Sequence, residues 1–157
     1  MKSDSRRSRQ LLKVGTVFYH REFEGHSETK DRYFVVAAVD DASFHCFTTT
    51  TSEFVIKNPH LKTEVTALIP KGSACLPKEC VIDCRELHSF DDILMTNRLS
   101  ANRVTIEGSL PVEYLRELAT TIRGTRTLDV DVELKEAMCA ALDKRLCAGI
   151  SGTCRNY

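Results

Sequence analysis

The stretch RYFVVAAVDDASFHCFTTTTS, residues 32–52, decides the fold. Residues 33–39 are an apolar run with the length of a strand that is covered on both faces. Residues 40–43 are turn formers, and residues 44–51 are rich in the aromatic and β-branched side chains that favour strands. The stretch therefore predicts a β-hairpin whose open end carries an arginine beside a row of threonines.

The register of this hairpin follows from the centre of its turn, which we place between positions 41 and 42. The expected pairs are Val39 with Phe44, Val36 with Phe47, and Arg32 with Thr51. A register shifted by two residues would instead set Thr49 against Arg32. Because opposed side chains in a sheet lie within contact distance, both registers bring a guanidinium to threonine hydroxyls.

Segments outside the hairpin predict four more strands, at residues 14–19, 64–69, 80–84 and 103–106. Several short strands broken by turn residues favour a small barrel. Two helices follow. Ser109 is expected to cap the first, which ends at Gly124, and the second spans residues 129–148 with an apolar stripe on one face. We expect a mainly β (α+β) fold, a small SH3-like barrel with C-terminal helices.

The 157 residues predict one barrel domain with two appendages. We expect a disordered basic arm at residues 1–12, the barrel at 13–125, and a C-terminal helical extension and tail at 126–157. The basic start has no apolar segment after it, as a secretory signal would have, and no apolar run reaches the roughly 18 residues that span a bilayer. We therefore expect a cytoplasmic protein without a membrane partner.

Charge and cysteine content narrow the function classes. Lysine plus arginine equals aspartate plus glutamate, 22 of each, which argues against a binder of long duplex nucleic acid but leaves a local RNA groove open. Three of the seven cysteines, Cys75, Cys80 and Cys84, lie close together without the C-x2-C spacing of zinc sites. Most cysteines are interpreted as reduced thiols packed as small hydrophobes, and a metal site built from these three with His88 is the alternative.

In their order along the chain, these segments resemble the PemK/MazF family of toxin endoribonucleases over roughly residues 13–123. The resemblance rests on an opening strand with glycine (GTV, 15–17), an arginine that leads a buried strand (RYFVV, 32–36), and a strand that ends in Thr51-Ser52. It continues with an LPKECV segment at 76–81 and the helix at 108–122. It implies an SH3-like barrel, usually dimeric, that cuts single-stranded RNA without metal and is neutralised by an antitoxin.

The same resemblance implies the roles of two residues, and the chemistry of RNA cleavage suggests roles for their neighbours. Arg32 matches the catalytic arginine and Thr51 the catalytic threonine, while Tyr33 stands where the family typically has proline. A guanidinium suits the charge that develops on phosphoryl oxygens during RNA cleavage. His26, in a loop with His20 that would cover this face, is a helper acid or base. The residues expected to bind substrate are Lys30, Asp31, Thr50 and Ser52. Asp31 is also expected to orient Arg32.

The sequence thus predicts a metal-independent endoribonuclease toxin that acts on single-stranded RNA by 2′-hydroxyl transesterification. The expected partners are RNA, a cognate antitoxin and a second copy of the chain, and no cofactor is expected. Two alternatives come from other classes: a non-catalytic SH3-like module that binds a peptide or nucleic acid, and a small metal-binding protein.

Overall fold

The computed structural model describes the backbone of residues 2–25 and 28–154 and the side chains of residues 7–25 and 28–148. Its sheet is antiparallel and follows the order β4-β3-β2-β1-β5. The strands are β1 Thr16–Glu24, β2 Thr29–Val39, β3 Ser43–Thr51, β4 Cys80–Asp91 and β5 Val104–Ser109. The predicted α+β fold, with a small barrel-like sheet and C-terminal helices, is confirmed.

Helices frame the sheet at both ends of the chain. The α-helices are α1 Lys2–Leu11, α2 Ser52–Lys57, α3 Asp92–Ser100, α4 Val112–Gly124 and α5 Val132–Cys154, with 3-10 turns at Pro59–Glu64 and Ser73–Cys75. No helix in the part of the chain that the structure describes is long and apolar enough to cross a membrane.

The predicted hairpin forms, and its register agrees with the prediction next to the turn, where Val39 pairs with Phe44. A bulge between Val36 and Ala38 then changes the register, so that Val36 pairs with Cys46 and not with Phe47. A bulge inserts one extra residue on one strand only. The predicted register is therefore wrong by one residue at the open end of the hairpin.

The open end follows this shifted register. Phe34 pairs with Thr48, the last pair of the β2–β3 ladder. Because side chains alternate between the faces of a strand, Arg32 lies on the face of Phe34, and Thr50 lies on the face of Thr48. Thr50, rather than the predicted Thr51, thus shares a face of the sheet with Arg32.

The long apolar run of β2 is explained by cover on both faces of the sheet. On one face, an aromatic cluster packs beside α3 and includes Phe18, Phe34 and Phe90, with Phe18 and Phe34 fully buried. On the other face, Val35 lies in one apolar cluster with side chains of α4 and α5, among them Leu118 and Leu142. The C-terminal helix therefore belongs to the same core as the sheet.

The expectation of a disordered arm at residues 1–12 is wrong for residues 2–11, which form α1. Arg9 explains why the segment is ordered. Its guanidinium donates to the carbonyl oxygens of Asp40 and Asp41 in the hairpin turn and lies 3.2 Å from the carboxylate of Asp92. Leu12, just after the helix, is fully buried in the aromatic cluster.

Two further predictions differ from the structure. Residues 64–69 form no strand and meet β4 only at isolated bridges, Val65 with Asp83 and Ile69 with Cys80. The pattern also missed α3, although Asp91 caps it by accepting hydrogen bonds from the backbone N–H groups of residues 93 and 94. An aspartate before a helical segment was the available signal.

Candidate functional site

A groove of about 560 Å³ opens at the free end of the hairpin, and we call it the Arg32 groove. Strand β2 supplies Lys30 and Arg32 to it, β3 supplies Thr48 and Thr50, and the remaining walls come from β1, α2 and β4. Its lining residues are Phe23, Gly25, Lys30, Arg32, Thr48, Thr50, Phe54, Asp83, Arg85, Glu86 and His88. Cationic, hydroxyl and aromatic side chains thus share one concave surface, as a ligand site requires.

Arg32 differs from the other charged residues of the groove in its lack of partners. It is half-buried, and its backbone pairs with that of His20 in β1, but its guanidinium makes no hydrogen bond or ion pair with any residue that the structure describes. A guanidinium stays charged and offers five N–H donors in a planar fork. Arg32 therefore presents a positive charge with open donors to the groove, which is the property that binds phosphate.

The predicted site residues are only partly brought together. A second cavity of about 500 Å³ is lined by Arg32, Asp31 and all three threonines from Thr49 to Thr51, so that Thr50 and Arg32 border both cavities. Ser52 starts α2 and instead lines a separate apolar groove of about 400 Å³. The structure thus places Ser52 away from Arg32 and puts Thr51 on the second cavity only.

Lys30 and Asp31 have contacts of their own. Lys30 lies 3.3 Å from the carboxylate of Glu28, and both side chains are exposed. Asp31 accepts hydrogen bonds from the hydroxyl of Tyr19 at 2.6 Å and from the backbone N–H of Glu22 at 2.9 Å. These bonds lower the pKa of Asp31, that from Tyr19 most. Asp31 therefore ties β1 to β2, and the expectation that it orients Arg32 is wrong.

Of the two histidines predicted to lie in a covering loop, His26 lies outside the described residues. The placement of His20 was wrong, because it lies within β1 and is fully buried. Burial lowers the pKa of His20, and the nearby charge of Arg98 acts in the same direction. In the neutral form, Nδ1–H donates to the Arg21 carbonyl at 2.9 Å while Nε2 accepts from Arg98 at 2.7 Å. His20 is thus a core residue that holds β1 against α3.

His88 is the imidazole that the described residues contribute to the groove. Its ring packs edge-on against the rings of Phe23 and Phe34, with centroids 5.4 and 5.5 Å away. The sequence singled out His88 only as a metal ligand. The sequence did not predict that His88 lies in the groove, because this depends on the pairing of β4 with β3, in which His88 is opposite Cys46.

Arg85, Asp83 and Phe54 are groove residues that sequence reasoning missed. The Arg85 guanidinium donates from Nε and from one terminal nitrogen to the two carboxylate oxygens of Asp83, at 2.9 and 2.7 Å. Its carbon Cζ lies 4.9 Å from the ring centroid of Phe54. The hydrogen bond to Asp83 raises the pKa of Arg85 further. No sequence signal predicts this contact, because Phe54 lies on α2 and the ion pair on β4.

The predicted metal alternative finds little support. Within the ranges that the structure describes, no group of three or more histidine, cysteine, aspartate or glutamate side chains could hold a metal ion. Cys80 and Cys84 are buried in the core, where burial raises the pKa of Cys80 to about 11 and that of Cys84 further still. A protonated, buried thiol is a poor metal ligand and acts as a small apolar group.

His45 lies outside the groove, and both of its ring nitrogens have hydrogen-bond partners. Its Nε2 is 2.6 Å from a carboxylate oxygen of Asp40, and its Nδ1 is 2.7 Å from the Ser89 hydroxyl. The other oxygen of Asp40 accepts the backbone N–H groups of Ala42 and Ser43. The three side chains therefore connect the hairpin turn to β4.

Comparisons of the chain with models of protein families, with curated proteins and with solved structures each gave no match. The description of the site therefore rests on its geometry alone: an α+β protein whose barrel-like sheet ends in a groove with cationic, hydroxyl and aromatic walls.

Proposed function

We propose that the chain is an endoribonuclease of the PemK/MazF type, which cleaves single-stranded RNA in the Arg32 groove without a metal ion. The observation that carries this proposal is the guanidinium of Arg32, unpaired among the described residues, in a groove that Thr48 and Thr50 of β3 also line. The resemblance of residues 13–123 to that family, stated above on its motifs, is the second support.

The reaction is a transesterification at phosphorus. The 2′-oxygen of one ribose forms a bond to the adjacent phosphorus, and the bond from phosphorus to the 5′-oxygen of the next nucleotide breaks. Negative charge grows on the non-bridging oxygens as this happens. Arg32 binds these oxygens through two parallel N–H donors, and the hydroxyl of Thr50 adds a third donor from the adjacent strand.

Two protons must move in this reaction, one away from the 2′-hydroxyl and one to the departing 5′-oxygen. Arginine holds its proton too tightly for either transfer. Imidazole titrates near neutral pH and serves both directions. His88 lines the groove with Arg32 and is our candidate for one of these transfers, and His26 stays a prediction for the other.

The partners follow from the resemblance and are proposed with it: a cognate antitoxin that blocks the groove, a second copy of the chain, and a cytoplasmic location where RNA is available. The apolar groove lined by Val55, Ile56 and Leu68 lies next to α2 and gives such a partner a surface to bind. Ile56 and Leu68 are 77% and 50% exposed.

The test is incubation of the purified chain with an end-labelled single-stranded RNA in EDTA. We expect fragments that carry a 2′,3′-cyclic phosphate, and we expect 2′-deoxy substitution at the cut position to prevent the cut. Arg32→Ala should lower the rate of cleavage by about 100-fold or more, whereas Arg123→Ala is the matched control, because Arg123 is an exposed arginine paired with Asp143 on the helices. Intact RNA with the wild-type chain would refute the proposal.

A non-catalytic SH3-like module that binds a peptide or nucleic acid is the second candidate. It is favoured by Tyr33 in the position where the family typically has proline, and by the net charge of zero. The same incubation separates the two functions: a module retards the RNA in a binding assay and leaves its length unchanged.

A further inference from the structure

Two arginines line the Arg32 groove, and their surroundings are opposite. The Arg32 guanidinium makes no hydrogen bond or ion pair with any described residue, whereas the Arg85 guanidinium forms a two-point ion pair with Asp83 and lies over the ring of Phe54. A phosphate gains most from a guanidinium whose donors are open. Arg85 has already committed two donors and has its charge balanced by Asp83, so it is poorly suited to a second anion.

The arrangement does fix the orientation of the guanidinium. The fork to Asp83 sets the plane of the Arg85 head group, and the aromatic ring of Phe54 supports it from one side. A guanidinium plane or an aromatic ring that borders an open groove is a surface on which unpaired nucleobases stack. All three side chains line the groove that contains Arg32.

We propose that Phe54, Arg85 and Asp83 form a nucleobase platform, on which a base of the RNA stacks while Arg32 holds a neighbouring phosphate. This inference rests on the proposed function, because it takes RNA as the substrate. It assigns the base to one side of the groove and the phosphate to the other. The ligand class is an unpaired nucleotide: a base within a duplex is stacked on its neighbours and cannot reach the platform.

The net charge of zero makes stacking a useful additional source of affinity for RNA. A protein with 22 positive and 22 negative residues gains little from long-range attraction to RNA. Phosphate contacts here are limited to the few cations of the groove. Stacking does not depend on net charge and accepts every base, so it supplies binding free energy that electrostatics does not.

A purely structural role for the trio makes a different prediction. Helix α2 has no fully buried residue, and Phe54 is only half-buried, so its replacement leaves the core intact. If the trio only attaches α2 to β4, its variants change stability and leave RNA binding unchanged. If it is a platform, they change binding and leave the fold intact.

The experiment measures binding of a short, fully 2′-O-methylated single-stranded RNA by fluorescence anisotropy, because that RNA cannot be cleaved through its 2′-oxygen. We expect Phe54→Ala to weaken binding by about ten-fold or more, and Phe54→Trp to preserve it. The affinity of Phe54→Ala should fall with salt at the wild-type slope. Arg32→Ala should lower that slope by about 0.7, the value for one phosphate contact on a single strand.

A second oligonucleotide, with abasic spacers in place of its bases, provides the cross-check. Wild type should bind it about ten-fold more weakly than the complete RNA, and Phe54→Ala should hardly distinguish the two. Arg85→Ala should resemble Phe54→Ala, with Arg123→Ala as the matched control because Arg123 also forms an arginine–aspartate pair. Circular dichroism of each variant verifies the fold.

The outcomes separate this inference from the proposed function. The platform is overturned if Phe54→Ala binds the complete RNA as tightly as the wild-type chain does. It is also overturned if Phe54→Ala discriminates against the abasic strand as strongly as the wild-type chain. Both conclusions hold even if the wild-type chain cleaves RNA. Base-dependent binding without cleavage of ordinary RNA leaves the platform and refutes the nuclease. Absence of any RNA binding by the wild-type chain overturns both.

Discussion

Glu64 and Arg32 are both charged side chains of the barrel, yet their surroundings are opposite. Glu64 is 3% exposed. Its Oε1 accepts hydrogen bonds at 2.7 to 2.8 Å from the Thr125 and Thr127 hydroxyls and from the backbone N–H groups of Arg126 and Thr127. Arg32 is half-buried at the edge of a groove, and its guanidinium has no hydrogen-bond or ion-pair partner among the described residues. The fold supplies hydrogen-bond partners to the Glu64 carboxylate and supplies none, among the described residues, to the Arg32 guanidinium.

The hydrogen bonds to Glu64 change its pKa. Burial opposes its ionisation, but the four hydrogen bonds favour the carboxylate more strongly, and its pKa falls to about 2. A charge that is satisfied in this way stabilises the folded state and joins the 3-10 turn at Pro59–Glu64 to the loop between α4 and α5. The comparison therefore predicts that Glu64 acts on stability and Arg32 on function.

The largest effect is expected at Arg32. Arg32→Ala should lower the rate of RNA cleavage by a factor on the order of 100 to 1,000, because preorganised donors at a developing oxyanion contribute that much. Arg32→Lys keeps the charge but loses the two-point fork, so most of the loss should persist. Single-turnover cleavage of a labelled RNA measures both variants, and near-wild-type rates for both would break the comparison.

Glu64→Gln comes next and should act on stability. We expect the free energy of unfolding at pH 7 to fall by about 2 to 3 kcal/mol, because hydrogen bonds to a charged acceptor are replaced by weaker ones to an amide oxygen. Urea unfolding, followed by circular dichroism, measures the difference. Cleavage per folded molecule should stay at the wild-type value, and a selective loss of cleavage would place Glu64 in the site.

The stability due to Glu64 should also depend on pH. Its pKa is lower in the folded state, about 2, than its ordinary value of 4.5, so the contribution is complete above about pH 5 and is lost as the pH falls toward 2. The shift corresponds to about 3 kcal/mol. Unfolding of the wild-type chain and of Glu64→Gln at a series of pH values checks this: the two curves should converge in acid, and a constant gap would contradict the assignment.

A smaller effect should separate two neighbouring threonines at the hairpin end. Thr50→Val removes the hydroxyl that shares the groove with Arg32 and should slow cleavage by about ten-fold, the lower end of the range for a hydrogen bond to a charged oxygen. Thr51→Val, on the second cavity only, should have less effect. A larger effect of Thr51→Val than of Thr50→Val would contradict this assignment and favour Thr51, the partner of Arg32 in the register that the sequence alone predicts.

The smallest effect is expected at Arg123. Its ion pair with Asp143 has a distance of 2.6 Å, but both side chains are 51% exposed. Exposed pairs contribute about 0.2 to 1 kcal/mol because water and salt screen them. Arg123→Ala should therefore change the free energy of unfolding by less than about 0.5 kcal/mol in urea at moderate salt, well below the change at Glu64.

The sequence predicted those parts of the fold that local patterns determine. The hairpin followed from an apolar run, a turn and a β-branched run, and α4 followed from its apolar face. The bulge after Val36 was not predictable, since it depends on how β2 fits β3. Helix α1 was missed because Arg9 holds it through contacts with residues more than 30 positions away.

The candidate site was predicted to a similar extent. Arg32 and the threonine row came from the hairpin itself, so a local pattern sufficed. Arg85, Phe54 and His88 reach the groove from α2 and β4, and nothing in their own neighbourhoods marks them. Glu64 meets its partners 61 to 63 positions along the chain. Contacts between residues so far apart in the sequence depend on tertiary packing, so their prediction requires the three-dimensional structure.

The most direct test of the contrast is a paired measurement on Arg32→Ala, of RNA cleavage in EDTA and of the free energy of unfolding in urea. We predict that cleavage, present in the wild-type chain, is lost, while the free energy of unfolding stays within about 0.5 kcal/mol of the wild-type value, as for an ordinary surface substitution. A chain that cleaves RNA as well without Arg32, or a variant as unstable as Glu64→Gln, would contradict the account.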